Sequence, residues 1–117
     1  MHLDTLRDAC LAKPGVTEDL PFGPDTLVFK VKGKVFALTN VEWLESAVNL
    51  KCDPERAVEL REQYTGIRPG YHMNKRHWNT VELQADVPSA LLRQLVDHSY
   101  ELVVSGLSKR LRDELAA

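Results

Sequence analysis

At 117 residues, with 44% hydrophobic and 27% charged residues, the chain has the size and composition of a single globular domain able to bury its own apolar core. A formal net charge of -2 excludes a dedicated nucleic-acid coat protein or a polybasic tail, though not a local basic patch. No stretch approaches the ~20 apolar residues of a membrane span. The opening Met-His-Leu-Asp-Thr-Leu-Arg-Asp has an early acid and no apolar run, which argues against a signal peptide and for a cytoplasmic protein without a membrane partner. Cys10 and Cys52 match no Cys-x-x-Cys or zinc spacing and read as two core thiols in a reducing compartment.

In chain order, Leu3, Leu6, Cys10 and Leu11 fall on one face of a short first helix, which Lys13-Pro14-Gly15 ends. Val16 to Asp25 reads as a loop stiffened by Pro21-Phe22-Gly23-Pro24, with Phe22 plugging the core. Leu27 to Thr39 alternates as a hairpin reversing at Gly33, with Phe36 and Leu38 sharing one face of the second arm. After a connecting turn that carries Trp43, Ala47 to Cys52 forms a third strand. Asp53-Pro54-Glu55 then combines an N-cap, a proline suited to the first helical position and an acid at the positive end of the dipole. The helix it starts runs through Ala57, Leu60, Arg61 and Tyr64 toward Gly66. Tyr71 to Met73 reads as a short strand, Asn74-Lys75-Arg76 as a tight turn, and Trp78 to Leu83 as another strand. A broad stripe of Leu91, Leu92, Leu95, Val96, Leu102, Val103 and Leu107 marks the longest helix, with a bend or break at Gly106-Leu107-Ser108.

The order α-β-β-β-α-β-β-α, with short connections, predicts one α+β domain over residues 1–117. It is a two-layer sandwich with an antiparallel sheet of about five strands and helices on one face. There is no repeat or linker.

Catalytic signals are weak. Both thiols sit at core-like positions, and no GxSxG elbow, phosphate loop or GxGxxG is present. The carboxylates Glu18, Asp19, Glu42, Glu45 and Glu82 form no recognisable pair. His2, His72, His77 and His98 lack metal-ligand spacing, so neither metal nor cofactor is expected. The richest stretch is Arg68 to Thr80. There Arg68, Lys75 and Arg76 alternate with Tyr71, His72, Asn74, His77 and Trp78 without a single acid, offering phosphate contacts beside stacking surfaces. Lys30 and Lys32 of the hairpin extend the positive area if the strands are neighbours.

Pro-Phe-Gly at 21–23, Val-Phe-Lys-Val at 28–31, Lys-Cys-Asp-Pro-Glu at 51–55, Gly-Tyr-His-Met-Asn-Lys at 70–75 with His77-Trp78, and Ser99-Tyr100 with Leu102-Val103 resemble the MmcQ/YjbR family over nearly the whole chain. The resemblance implies a two-layer fold like that of secretion chaperones, also described as CyaY-like or frataxin-like. The family is commonly labelled DNA-binding, and it offers no established catalytic residues to carry over. Two functional expectations follow. One is a non-enzymatic module whose anionic partner, DNA among the candidates, is held by Arg68, Lys75 and Arg76 with Tyr71 and Trp78. The other is a chaperone-like protein-interaction module, which requires an exposed apolar patch rather than a positive one.

Overall fold

The computed structural model describes all residues, Met1–Ala117. The chain runs α1 (Leu3–Leu11), β1 (Val16–Asp19), β2 (Thr26–Val31), β3 (Lys34–Asn40), β4 (Ala47–Lys51), α2 (Pro54–Gln63), β5 (Ile67–Pro69), β6 (Trp78–Glu82), α3 (Ser89–Ser105) and α4 (Lys109–Ala116). The strands form one six-stranded sheet in the order β1-β2-β3-β4-β6-β5, every pair antiparallel. This is the expected α+β sandwich, with six strands rather than five. No helix is long and apolar enough to cross a membrane.

The added strand and one relocated strand both lie at the sheet edges. Val16–Asp19, expected within a loop, pairs with β2 as an edge strand. Only Val16 is apolar and the next three residues are exposed, so the strand carries no alternating signal, as suits an edge that must not recruit another chain. At the opposite edge the strand is Ile67–Pro69, not Tyr71–Met73. Proline is tolerated there because an edge position needs no ladder donor on its outer side.

One sheet face and three helices enclose the core. Phe29 and Val31 of β2, Phe36 and Ala37 of β3, Val48 and Leu50 of β4, Ile67 of β5 and Val81 of β6 meet Leu6 and Cys10 of α1, Ala57 and Leu60 of α2, and Leu92, Leu95, Val96 and Val103 of α3. At about 1.5–3 kcal/mol for each fully buried large apolar side chain, α3 contributes most among the helices. The register shift between Phe29 and Lys30 places Ala37, not Leu38, opposite Phe29, while Leu38 lies opposite Val28 on the other face. The expected sharing of a face by Phe36 and Leu38 is therefore corrected by a bulge.

Ser99 exploits this irregularity. β3 and β4 pair only at Ala37–Leu50 and Leu38–Asn49. Beyond that point the fully buried Ser99 hydroxyl donates to the Phe36 carbonyl (2.6 Å) and accepts from the Lys51 N–H (2.8 Å). One helix side chain thus restores two hydrogen bonds between strands that have separated. Its neighbour Tyr100 sets its ring edge-on to Phe36 at 5.4 Å and donates its hydroxyl to the Pro14 carbonyl (2.6 Å).

Helix ends follow the expected chemistry. Asp53 caps α2 by accepting the Arg56 N–H (3.3 Å), with Pro54 in the first turn. His98 of α3 accepts the Asp53 N–H at Nε2 (3.2 Å). The helix ends at Ser105, and Ser108 caps α4 by accepting the Leu111 N–H. Phe22 is 73% exposed, so it does not plug the core.

Candidate functional site

The segment between Pro69 and Trp78 is a tightly bonded double turn. Gly70 donates its N–H to the Trp78 carbonyl (2.9 Å). A Cβ there would stand 2.8 Å from the Trp78 Cβ and 3.0 Å from its carbonyl oxygen, so only glycine fits. The first turn closes from the Met73 N–H to the Gly70 carbonyl (3.2 Å) and places His72 at a left-handed φ of 58°. Histidine tolerates that region better than most residues. The second turn is held by Asn74, whose side-chain oxygen accepts the N–H groups of Arg76 (3.0 Å) and His77 (3.3 Å). Arg61 of α2 anchors the whole segment. Its Nε donates to Asn79 Oδ1 (2.6 Å) and its Nη2 donates to the Lys75 carbonyl. The Cys52 N–H donates to the His77 carbonyl (2.8 Å).

This scaffold decides what the expected site residues are free to do. Lys75 donates its ammonium to the Gly70 carbonyl (2.9 Å), and Asn74 is the turn's own cap. Arg68 faces Glu82 at 3.4 Å. Lys30 and Lys32 lie on and beyond β2, paired with Asp19 (3.5 Å) and Glu114 (2.8 Å). β2 is three strand spacings from β6, roughly 14 Å at the usual interstrand distance. Of the five expected cations only the Arg76 side chain makes no hydrogen bond or ion pair, and it shares a surface hollow with the acids Glu55 and Glu59 of α2. His77 and Trp78 are half-buried at the start of β6. Tyr71 and His72 are exposed, their rings 4.0 Å apart between centroids. Arg68, Tyr71 and His72 are thus brought together, while Lys30 and Lys32 stay apart from them. Nowhere do three or more His, Cys, Asp or Glu side chains gather as a metal-holding group.

Tyr71 is placed by a polar chain on the helix-free face of the sheet. Its N–H donates to Thr80 Oγ1 (2.9 Å), Thr80 Oγ1 donates to Asn49 Oδ1 (2.6 Å), and Asn49 Nδ2 donates to the Tyr71 carbonyl (2.9 Å). Asn49 and Thr80 are buried beneath it. From the opposite end the β3–β4 loop sends Trp43 to meet Tyr71 edge-on at 6.0 Å. Between them opens a cleft of about 350 Å³ lined by Trp43, Leu44, Glu45, Arg68, Tyr71 and Thr80. Trp43 and the Asn49–Thr80 pair were not legible as site residues. Arg61 left a partial signal: it lies four residues, about one helical turn, after the buried Ala57 of α2, where a charge must have a partner.

A second surface lies beside the cleft. The loops Leu20–Asp25 and Val41–Ser46 are joined by the Val41 N–H donating to the Asp25 carbonyl (2.9 Å). They expose Leu20, Phe22, Val41 and Leu44, the last at 97%. The same loops contain Asp25, Glu42 and Glu45, all exposed and in no ion pair, and neither loop has a lysine or arginine. The thiols play no part in either surface. Both are buried, and burial pushes the Cys10 thiol up to about 12 and Cys52 upward as well.

Comparison with known proteins agrees with this geometry. The YjbR family model matches residues 11–102. The chain belongs to the YjbR family. It is 42% identical over 107 residues to a protein of Escherichia coli O157:H7 named uncharacterized protein YbdF, covering 92% of this chain and 88% of that one. It is 36% identical over 112 residues to uncharacterized protein YjbR of Escherichia coli strain K12, covering 96% and 95%. The crystal structure of Deinococcus radiodurans protein DR2400 superposes with a TM-score of 0.91 at 44% identity, over 97% of this chain and 87% of that chain. A crystal structure from Pseudomonas syringae gives 0.77 at 30% identity, over 87% and 98%. The two solved structures share the fold of this chain.

Proposed function

We propose that this YjbR-family chain is a non-enzymatic protein-interaction module whose working surface is the pair of loops Leu20–Asp25 and Val41–Ser46. The observation that carries the reading is their composition: four exposed apolar side chains among three unpaired carboxylates, without a cation. Exposed apolar groups rimmed by polar residues mark association surfaces. The carboxylates select the sign of the partner: a segment that is apolar and basic. The anionic-partner reading has less behind it, because four of its five cations are engaged and a nucleic-acid backbone is bound through several neutralised phosphates.

The test uses a labelled amphipathic Leu/Lys peptide and its Leu/Glu counterpart as defined probes. The basic peptide is expected to bind and the acidic one not. Phe22→Ser with Leu44→Ser should weaken binding by at least about 100-fold, from about 1.5–3 kcal/mol for each of the two apolar groups buried on association. Binding unchanged by the double substitution would reject these loops as the surface.

A further inference from the structure

We propose that the cleft between Trp43 and Tyr71 is a binding site for a small zwitterion of the amino-acid class, with Arg68 taking its carboxylate, Glu45 its ammonium and the two rings its apolar side chain. The volume, about 350 Å³, is at the small end of the range for ligand pockets, which suits one compact molecule. The lining residues divide cleanly by what they have left to offer. Thr80 is already spent, since its hydroxyl accepts from Tyr71 and donates to Asn49. Trp43, Leu44 and Tyr71 supply apolar and aromatic surface. The charged groups that remain are one of each sign.

Arg68 makes a single 3.4 Å contact with Glu82 through Nη1, so its Nε and Nη2 donors remain available to a carboxylate. Glu45 is exposed and in no ion pair. A ligand carrying only a carboxylate would leave Glu45 facing it as a like charge, and one carrying only an ammonium would face Arg68. A zwitterion satisfies both. The Tyr71 wall is prepared in advance, its backbone pinned on both sides to Asn49 and Thr80, which lowers the ordering cost of binding. The site shares Leu44 and Glu45 with the proposed partner surface, but its carboxylate-binding Arg68 and its Tyr71 wall lie outside that surface.

The experiment is an NMR titration of the labelled protein with L-phenylalanine, phenylalaninamide, which lacks the carboxylate, and N-acetylphenylalanine, which lacks the ammonium. The backbone amides of 43–46 and 71 and the Trp43 indole N–H report binding. Phenylalanine is expected to shift these peaks saturably with a Kd of about 1 mM, the scale set by the efficiency of drug-sized ligands. Each analogue should bind at least about tenfold more weakly, the loss of one charge-assisted hydrogen bond. Arg68→Gln should erase the preference over the amide, and Glu45→Gln the preference over the acetyl form. Both residues are exposed, so both variants should fold. No saturable shift up to the solubility of phenylalanine would overturn the proposal. So would either analogue binding as well as phenylalanine.

Discussion

Arg61→Ala removes the one side chain that ties α2 to the double turn. Its Nε bond to Asn79 Oδ1 is 2.6 Å, and Asn79 is only 2% exposed. The substitution therefore strands a buried amide oxygen, while the Lys75 carbonyl can turn to water and the Trp78 carbonyl keeps the Gly70 N–H. A buried acceptor left unsatisfied costs about 1–3 kcal/mol, and the lost bond was charge-assisted, so about 2.5 kcal/mol is expected. For a chain of this length that lowers Tm by roughly 10 °C, using about 2.1 cal/mol/K per residue for the unfolding entropy. Urea unfolding should show a lower midpoint with an unchanged slope. Lys75→Ala, which removes one bond from an exposed ammonium, should cost less than about 1 kcal/mol. Replacing both partners, Arg61→Met with Asn79→Leu, should cost less than the sum of the single changes. A loss below about 0.5 kcal/mol for Arg61→Ala would refute the view that the double turn is built on this residue.

Three other outcomes are expected. Ser99→Ala leaves the Lys51 N–H and the Phe36 carbonyl without their bridge, and should cost about 2–4 kcal/mol by urea unfolding, with loss of amide-exchange protection at Lys51. His98 is held below the ordinary imidazole value, chiefly by burial and then by Arg56, and its neutral Nε2 accepts the Asp53 N–H. A lowered histidine value means the unfolded state takes the proton first. Stability from His98 is then complete above about pH 6.5 and declines as pH falls through the folded value; His98→Gln should flatten that decline in a pH series of unfolding midpoints. Cys10 and Cys52, buried and with raised thiol values, should resist iodoacetamide in the native protein and react only in denaturant.

The parts of the fold that announce themselves in the sequence are those with strong local chemistry. The β2–β3 hairpin turns at Lys32-Gly33, both at positive φ as its tight reversal requires. Asp53-Pro54 starts α2, and the apolar stripe of α3 covers the core. What stayed hidden depends on partners distant in sequence. β1 is polar because it is an edge, and β5 is three residues long with a proline. The partners that engage the Arg68–Trp78 block, the Gly70 carbonyl for Lys75 and Glu82 for Arg68, are brought in by the fold and could not be read from the local sequence. Ser99 carried a readable signal: it falls between Val96 and Val103 on the buried stripe, where a hydroxyl must find partners. Trp43 carried none, since nothing in a short connecting loop says that its ring crosses a sheet face to meet Tyr71.

The central claim, that this chain meets its partner through an acidic and apolar loop surface rather than a basic one, is tested most directly by one anisotropy experiment. Labelled single-stranded DNA, double-stranded DNA and the basic amphipathic peptide are titrated with the protein at low and high salt. Binding of the peptide, weakened by salt and by Phe22→Ser with Leu44→Ser, together with no DNA binding at low salt, is the predicted result. Salt-sensitive DNA binding that is lost on Arg76→Ala, with no binding of the peptide, would contradict it.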